Sequence, residues 1–412
     1  MSAVTAGALR QRADYTHKFN VKTGRHGWLR LTPAYSVKIV EEIIGHCNGR
    51  MRILDPFCGT GTTGLSAAYH GHDATTVDIN PFLVWLGRAK TGRYRLDAVM
   101  RTRDACESVL RAVNRRRGGE ISLPPIHNIE RWWSEDRLFF LAALRKAISE
   151  ETDGKSKERT LLMVAFCRTL IKVSNAAFNH QSMSFKNENQ RGLDIALDLR
   201  GVYRTDVELV LAGAEKNPPG ACRVLLGDAR DMGALTDQRF DLVVTSPPYA
   251  NRMSYVRELR PYMYWLGFLE NGRDAGELDW ASIGGTWGIA TSRLMDWSRG
   301  RTKYWYEVLE NAVEKISDKE NANGKIMANY VAKYFEDIWV HLENLRGVLA
   351  DGARVHYIVG NSTFYGVMVP VEEIYSEMLR QLGFKDVKCR AVRKRNSKKE
   401  LVEFDVSAVW PG

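Results

Sequence analysis

The chain has 412 residues, of which 44% are hydrophobic and 26% charged, a composition typical of a globular protein that buries a sizeable core. Lys and Arg outnumber Asp and Glu by 59 to 49, and the net charge of +10 favours a polyanionic partner such as nucleic acid. The six cysteines form no CxxC pair, so neither a disulfide framework nor a metal site is expected. The N-terminus lacks a signal-peptide pattern and the apolar stretches are too short for a bilayer, which indicates a cytoplasmic protein without a membrane segment.

In chain order, a basic arm comes first and a wound sheet follows it. Residues 1–25 are polar and basic and predict a mobile arm. Arg52 to Asp55 predicts a strand, Thr62 to His70 a helix, and Ala74 to Val77 a second strand. A strand, a loop, a helix and a strand in this order open a parallel sheet wound with helices.

The middle of the chain interrupts this sheet pattern. Residues 95–218 have mostly helical periodicity, and strand patterns return at 223–226 and 240–244. We therefore interpret 95–218 as a helical insertion into a wound-sheet domain. Beyond it, the glycine-rich stretch 282–288 predicts a flexible loop that is able to enter a DNA groove.

A glycine loop lies between the first strand and its helix. Gly59, Gly61 and Gly64 have the GxGxxG spacing of dinucleotide-binding proteins, and Asp78 follows the next strand. The spacing alone leaves open an NAD enzyme or a plain glycine turn. Asp55 at the strand end would repel a pyrophosphate but would suit S-adenosylmethionine, which carries an ammonium group and a sulfonium and no phosphate. Asp78 is placed to accept the ribose hydroxyls of either ligand.

A second motif, Thr-Ser-Pro-Pro-Tyr at 245–249, directly follows the apolar strand 240–244. An isolated match would indicate only a proline-rich turn. Together with the glycine loop, Asp78 and Asp228, it resembles the S-adenosylmethionine-dependent amino-methyltransferases of DNA, whose signature is a small polar residue before Pro-Pro-aromatic. In that family a leading serine is associated with cytosine N4, and Asp or Asn with adenine N6.

The resemblance implies a site for S-adenosylmethionine. By this resemblance, Asp78 binds the ribose and Asp228 binds the adenine amino group. The segment around Trp28 and Thr32 closes over the methionine end. The predicted cofactor residues are Asp55, Phe57, Gly59, Gly61, Thr62, Asp78, Asp228, Trp28 and Thr32. A long helical segment separates Asp78 from Asp228 where a simple family member has one helix, so the resemblance does not locate the target-recognition element.

The chemistry of amine methylation explains the second motif. The lone pair of an aromatic amine is delocalised, and hydrogen bonds accepted from its two N–H groups return electron density to the nitrogen. The Ser246 side chain and the Pro247 carbonyl are predicted acceptors, Pro247 and Pro248 stiffen the loop, and Tyr249 is predicted to stack on the base. The base must be flipped out to reach this site. Because no covalent intermediate is needed, Cys58 is expected to pack rather than to attack.

Double-stranded DNA is the partner that the resemblance implies, and a cognate restriction endonuclease is a further candidate. Residues after the catalytic loop and in the basic tail are predicted to contact DNA. They are Asn251, Arg252, Tyr255, Arg257, Lys394, Arg395, Lys398 and Lys399. The oligomeric state does not follow from the sequence.

The sequence therefore predicts a DNA methyltransferase that acts on cytosine N4 of a flipped base. The alternatives are an adenine-N6 DNA methyltransferase, an RNA guanine-N2 methyltransferase, and a binding subunit with a silent cofactor pocket. The predicted fold is α/β, a doubly wound, mostly parallel Rossmann-like methyltransferase sheet with a large helical insertion. Its predicted parts are the arm 1–25, a catalytic domain of 26–94, 219–260 and 323–412, the insertion 95–218, and a DNA-recognition region 261–322.

Overall fold

The structure is a computed structural model of the chain. It describes residues 12–21, 23–31, 35–115, 122–177, 184–185, 197–300, 304–319, 323–395 and 400–412. The strands are β1 (Arg52–Asp55), β2 (Asp73–Asp78), β3 (Ala176–Ala177), β4 (Ser184–Phe185), β5 (Ala221–Leu226), β6 (Phe240–Thr245), β7 (Leu349–Gly360), β8 (Ser362–Phe364), β9 (Val367–Val369), β10 (Lys385–Lys394) and β11 (Val402–Val409). The α-helices are α1 (His17–Asn20), α2 (Val37–Ile44), α3 (Thr62–Tyr69), α4 (Pro81–Thr91), α5 (Leu96–Arg115), α6 (Glu135–Glu151), α7 (Lys157–Lys172), α8 (Leu199–Ala214), α9 (Tyr255–Leu266), α10 (Gly272–Ala281), α11 (Ile289–Asp296), α12 (Glu307–Ser317), α13 (Asn323–Leu345) and α14 (Val371–Gln381).

Seven strands form the main sheet in the order β10-β11-β7-β6-β1-β2-β5. The pairs from β7 to β5 are parallel, and β11 runs antiparallel to both β7 and β10. Successive residues of β6 are buried in different cores on the two faces of the sheet. Leu242 faces α2 and α3, whereas Val243 faces α13 and α14. Burial on both faces explains the continuous apolar runs of these strands. The predicted doubly wound, mostly parallel α/β fold is confirmed.

The order of the strands reverses beside β1. From β1 the chain continues outward through β2 and β5 on one side, and then returns to place β6 and β7 on the other side. In such sheets, ligands bind in the crevice outside the carboxyl ends of the strands at the reversal. Here β1 ends at Asp55 and β6 at Thr245, and the Thr245 hydroxyl donates to the Asp55 carboxylate at 2.6 Å. The fold thus joins the two sequence motifs, which lie 190 positions apart.

Helices α5 to α8 fill most of the predicted insertion and bury a core of their own, which contains Trp133 and Phe166. This core does not stop at the predicted boundaries. Helix α9 continues across the expected division at 260/261, and its Trp265 packs edge-to-face against Trp133 with ring centroids 5.8 Å apart. The β3–β4 hairpin was also not expected within the insertion.

Residues 12–21 of the N-terminal arm lie against α2, which differs from the mobile arm that the sequence predicts. Tyr15 is buried and its hydroxyl donates to Glu42 on α2. The Asn20 side chain donates to the Tyr35 carbonyl at 2.8 Å and accepts from the Val37 N–H at 2.9 Å. These partners fix the arm beside the sheet.

A buried arginine at the end of the arm joins the sheet domain to the insertion. The Arg25 guanidinium donates to the carbonyls of Lys90 at the end of α4 and of Gly213 and Ala214 at the end of α8, at 2.9 to 3.0 Å. Helix ends leave such carbonyls without partners and carry partial negative charge, which a cation satisfies.

Among the helices in the described ranges, none has the length and apolar character that crossing a membrane requires.

Candidate active site

A cavity of about 530 Å³ opens at the carboxyl ends of β1, β2, β5 and β6, a size typical of small-molecule sites. Its walls come from the glycine loop, the loop after β6, the segment before α2 and the C-terminal hairpin β10–β11. The predicted site residues that line it are Phe57, Gly59, Asp78, Asp228, Ser246, Pro247, Pro248, Tyr249, Asn251, Tyr255 and Arg395.

The glycine loop wraps around the carboxylate of Asp78. Gly59 has a left-handed φ of 51°, and its N–H donates to Asp78 Oδ2 at 2.8 Å. Asp78 Oδ1 accepts the Asn80 N–H at 2.9 Å. The third glycine, Gly64, serves packing rather than a ligand, because a Cβ there would lie 2.8 Å from Thr76 Cγ2 on β2. Burial raises the pKa of Asp78 to about 7.

Asp55 lies behind this loop and does not line the cavity. Its Oδ1 accepts the Phe57 N–H at 3.0 Å and the Thr245 hydroxyl, so the carboxylate connects β1 to β6. Its Oδ2 is buried without a hydrogen-bond partner among the described residues, and burial raises its pKa to about 6. The structure therefore places Asp55 as a support for both loops.

Asp228 follows β5, the strand next to β2, and is held by a charge network. Burial alone would raise its pKa, but hydrogen bonds from the Arg230 guanidinium outweigh burial and lower the pKa, so the carboxylate stays ionised. Arg230 also donates to Asp337 at 2.7 Å and to the Ala281 carbonyl at 2.6 Å. The network fixes Asp228 relative to the loop that follows α10.

The loop after β6 is fixed from several directions. The Pro248 carbonyl accepts the Tyr334 hydroxyl at 2.8 Å, and the Tyr249 N–H donates to the Tyr255 hydroxyl at 3.2 Å. The Pro247 carbonyl accepts no hydrogen bond from the part of the chain that the structure describes. Of the two proline carbonyls, that of Pro247 is thus available to a ligand.

The Tyr249 phenol donates to Glu403 Oε1 at 2.7 Å. Burial and the charge of Glu403 raise the pKa of Tyr249 well above its usual range, and the nearby Ser246 hydroxyl opposes this shift. Tyr249 is therefore a neutral hydrogen-bond donor at physiological pH.

Several predicted cofactor residues lie outside the cavity. Trp28 is fully buried and packs against Tyr94, with ring centroids 6.1 Å apart, and against the backbone of Gly213. It belongs to the core shared with the insertion and does not line the cavity. Gly61 and Thr62 form the start of α3 behind the cavity wall. Thr32 lies outside the described residues.

The predicted DNA contacts separate into two groups. Asn251, Tyr255 and Arg395 line the cavity, whereas Arg252, Arg257 and Lys394 do not. Lys398 and Lys399 lie outside the described residues.

The glycine-rich stretch 282–288 is fixed, not free as its composition suggests. The buried Asp279 carboxylate accepts the Trp287 N–H at 2.7 Å, and a Cβ on Gly285 would overlap the Asp279 carbonyl oxygen at 1.7 Å. The glycines therefore permit close packing. Ser282 and Ile283 line the cavity.

Three further lining residues carried no recognisable signal in the sequence: Tyr15, Tyr35 and Glu403. The tyrosines lie in a polar segment without a motif, and Glu403 is a single acid in the C-terminal tail, whereas Arg393, which also lines the cavity, begins the basic run of that tail. Cys58 is buried, and burial raises the pKa of its thiol well above the usual range, which agrees with the packing role expected for it.

No protein-family model matches the chain. It is 23% identical to the Type II methyltransferase M.MvaI of Kocuria varians, over 80% of this chain and 74% of the relative. Identity to the Type II methyltransferase M.BsoBI of Geobacillus stearothermophilus is 21%, over 94% and 84%. The rRNA methyltransferase aviRa from Streptomyces viridochromogenes aligns with 92% of the chain and 86% of its own at 12% identity, with a TM-score of 0.28. Over most of its length, the chain is thus similar in sequence to Type II methyltransferases.

Proposed function

We propose that the chain is a DNA methyltransferase that transfers a methyl group from S-adenosylmethionine to N4 of a flipped cytosine. The observation that carries the proposal is that Asp78 of the glycine loop and Ser246 of the proline loop line one cavity. The similarity to methyltransferases implies S-adenosylmethionine as the methyl donor, as the sequence predicted.

The residues of the cavity suit this cofactor better than a dinucleotide. Asp78 offers a carboxylate to ribose hydroxyls, and Asp228 offers one to the amino group of adenine. The basic lining residues are Arg393 and Arg395, and both belong to the C-terminal hairpin, away from the glycine loop. A pyrophosphate next to Asp78 would therefore meet negative charge, and the described residues that line this part of the cavity include no cation to balance it. The bound cofactor would supply an electrophilic methyl group.

The proline loop offers two acceptors for an amine. The Ser246 hydroxyl lines the cavity, and the carbonyl of Pro247 is the unengaged one of the proline pair. Because the prolines and the bond from Tyr334 fix the loop, these acceptors are aimed before the base arrives. Ser246 removes no proton in this scheme; it accepts an N–H hydrogen bond and so raises the electron density on the nitrogen. The methylated nitrogen then releases its extra proton to water.

The identity of the methylated base can be tested by mapping modified bases in DNA. Expression in a host without DNA methylation should place N4-methylcytosine at every copy of one short sequence, and the Ser246→Ala variant should modify the same sites much more slowly. N6-methyladenine at a single motif would overturn the choice of cytosine. Unmodified DNA from a protein that binds S-adenosylmethionine would overturn the DNA substrate itself.

Arg252 is a candidate phosphate contact beside the cavity. It is exposed and has a left-handed φ of 62°, a strained conformation for an arginine. Its N–H donates to the Tyr330 hydroxyl at 3.2 Å and its carbonyl accepts the Thr286 hydroxyl at 3.3 Å, so the backbone is fixed while the side chain is exposed. This geometry supports a contact made by the side chain.

Replacing Arg252 and Arg257 with glutamine should weaken DNA binding and reduce the slope of log K against log salt by about 1 for each phosphate that the arginines neutralise. Fluorescence anisotropy at several salt concentrations measures this slope. Arg239→Gln is the control, because Arg239 is exposed at the amino end of β6, at the opposite edge of the sheet. Equal slopes for the double variant and the control would remove this surface from the interface.

A further inference from the structure

The C-terminal hairpin carries a buried ion pair into the wall of the cavity. Arg393 on β10 and Glu403 on β11 are direct cross-strand partners. Arg393 Nε donates to Glu403 Oε2 at 2.8 Å and Nη2 donates to Oε1 at 3.2 Å, and Glu403 is 3% exposed. A buried carboxylate needs such a partner, and the two-point pairing fixes its orientation.

The same carboxylate holds the tyrosine of the catalytic loop. Glu403 Oε1 accepts the Tyr249 phenol at 2.7 Å, so a strand from the far end of the chain restrains the tip of the Tyr249 ring. The other end of Tyr249 is held by the bond from its N–H to Tyr255. With both ends held, the long axis of the ring is fixed.

Arg395 covers the Tyr249 ring. Its guanidinium carbon lies 4.8 Å from the ring centroid, and Nη1 donates to the Asn361 carbonyl at 2.9 Å. Gly360 makes room for it, because a Cβ there would lie 2.5 Å from Arg395 Nη1. The tail arginine that the sequence predicts as a DNA contact thus packs on the catalytic loop.

We propose that Glu403 is a positioning residue for methyl transfer, which orients Tyr249 through its hydroxyl so that one ring face receives the target base while Arg395 covers the other. The inference rests on the proposed function and deepens it. Orientation of this kind acts on the transfer step, since a small misplacement of a reacting group is costly, whereas the cofactor side of the cavity is untouched.

The hairpin also contains a matched control. Asp405 is 4% exposed and lies two residues after Glu403 on β11, and it pairs with Arg390 at 3.4 Å and with His356 at 3.0 Å. It does not line the cavity. Asp405→Asn therefore removes a buried, paired carboxylate from the same strand without touching Tyr249.

A double-mutant cycle tests the proposal. Glu403→Gln and Tyr249→Phe should each lower kcat about 10-fold, the value of one hydrogen bond. Combined, they should lower it no further than either alone, because each breaks the same contact. The Kd for S-adenosylmethionine should stay unchanged, and Asp405→Asn should keep the wild-type kcat even if its melting temperature falls.

Losses that multiply in the double variant would overturn the positioning role while the proposed function stands. Tyr249→Phe keeps the ring and removes only the hydroxyl, so an unchanged kcat in this variant would also overturn it, even if Glu403→Gln folds poorly. A wild-type protein that binds S-adenosylmethionine but methylates no nucleic acid would overturn both proposals.

Discussion

Replacing Ser246 with alanine is expected to lower kcat about 100- to 1000-fold and to leave the Kd for S-adenosylmethionine unchanged. The expected loss is of this magnitude because removing one preorganised hydrogen-bonding group from other active sites lowers kcat by about 100- to 1000-fold. In the proposed mechanism the hydroxyl accepts an N–H bond that strengthens as the amine becomes tetrahedral, so its loss affects the transition state more than ground-state binding. The Pro247 carbonyl remains as the second acceptor, which explains a residual rate.

Single-turnover transfer of labelled methyl groups to DNA measures this loss, and calorimetry measures cofactor binding. Ser376→Ala is the matched control, because Ser376 is a buried serine on α14 whose hydroxyl donates to the Glu372 carbonyl at 2.7 Å outside the cavity. A loss of less than about threefold in Ser246→Ala would show that the hydroxyl is not an essential acceptor, since a typical hydrogen bond is worth more.

The meeting of the two motifs could be predicted from the sequence because of a general property of parallel sheets. Strands that run in one direction bring their carboxyl ends to one edge, so the strand patterns alone place Asp55, Asp78 and Ser246 at that edge. The strand patterns 74–77 and 240–244 correspond closely to β2 (Asp73–Asp78) and β6 (Phe240–Thr245). Local strand patterns and loop chemistry sufficed for this part of the fold.

The remaining errors come from contacts between distant segments. The sequence predicts that Trp28 contacts the methionine end of the cofactor, yet it packs with Tyr94 and Gly213, which no local pattern connects to it. Pro261 normally argues against a helix, but α9 buries Trp265 and Met263 in the insertion core and accommodates the proline. Tertiary packing decides such cases over local propensity.

The same reasoning explains why Glu403 was missed. A lone glutamate in a β-like tail has no spacing to another acid or base that would mark it, and its function depends on the register between β10 and β11. Register is a property of the folded sheet, and it also decides that Arg395 covers Tyr249.

Replacing Asp78 with alanine is expected to raise the Kd for S-adenosylmethionine about 100-fold or more. The carboxylate is proposed to accept both ribose hydroxyls, and a hydrogen bond to a charged group contributes about 1.5–3 kcal/mol. The alanine also releases the Gly59 N–H, which donates to Asp78 Oδ2 at 2.8 Å and helps to fix the glycine loop. Calorimetry measures the change, and a Kd within about threefold of wild type would remove Asp78 from the cofactor site, since no charged hydrogen bond is so weak.

The pKa of Asp78 gives this prediction a pH dependence. Burial raises the pKa to about 7, so in the free protein the carboxyl becomes protonated as the pH falls below 7. A protonated carboxyl accepts less well from hydroxyls, so the wild-type Kd should be flat above pH 8 and should rise towards 10-fold per pH unit below 7. Asp228 stays ionised over this range because its pKa is lowered. Asp78→Asn should bind weakly and without this pH dependence.

The titration of Asp78 has to be distinguished from that of Asp55, because burial raises the pKa of Asp55 to about 6 and its charge acts on Asp78. A rise in Kd centred near pH 6 that persists in Asp78→Asn would assign the titration to Asp55 instead. A midpoint near pH 7 that disappears in Asp78→Asn would assign it to Asp78. The pH midpoint therefore tells whether the titrating carboxylate is Asp78, which is proposed to contact the cofactor, or Asp55. The Thr245–Asp55 hydrogen bond predicts that Asp55 supports the two loops and does not contact the cofactor.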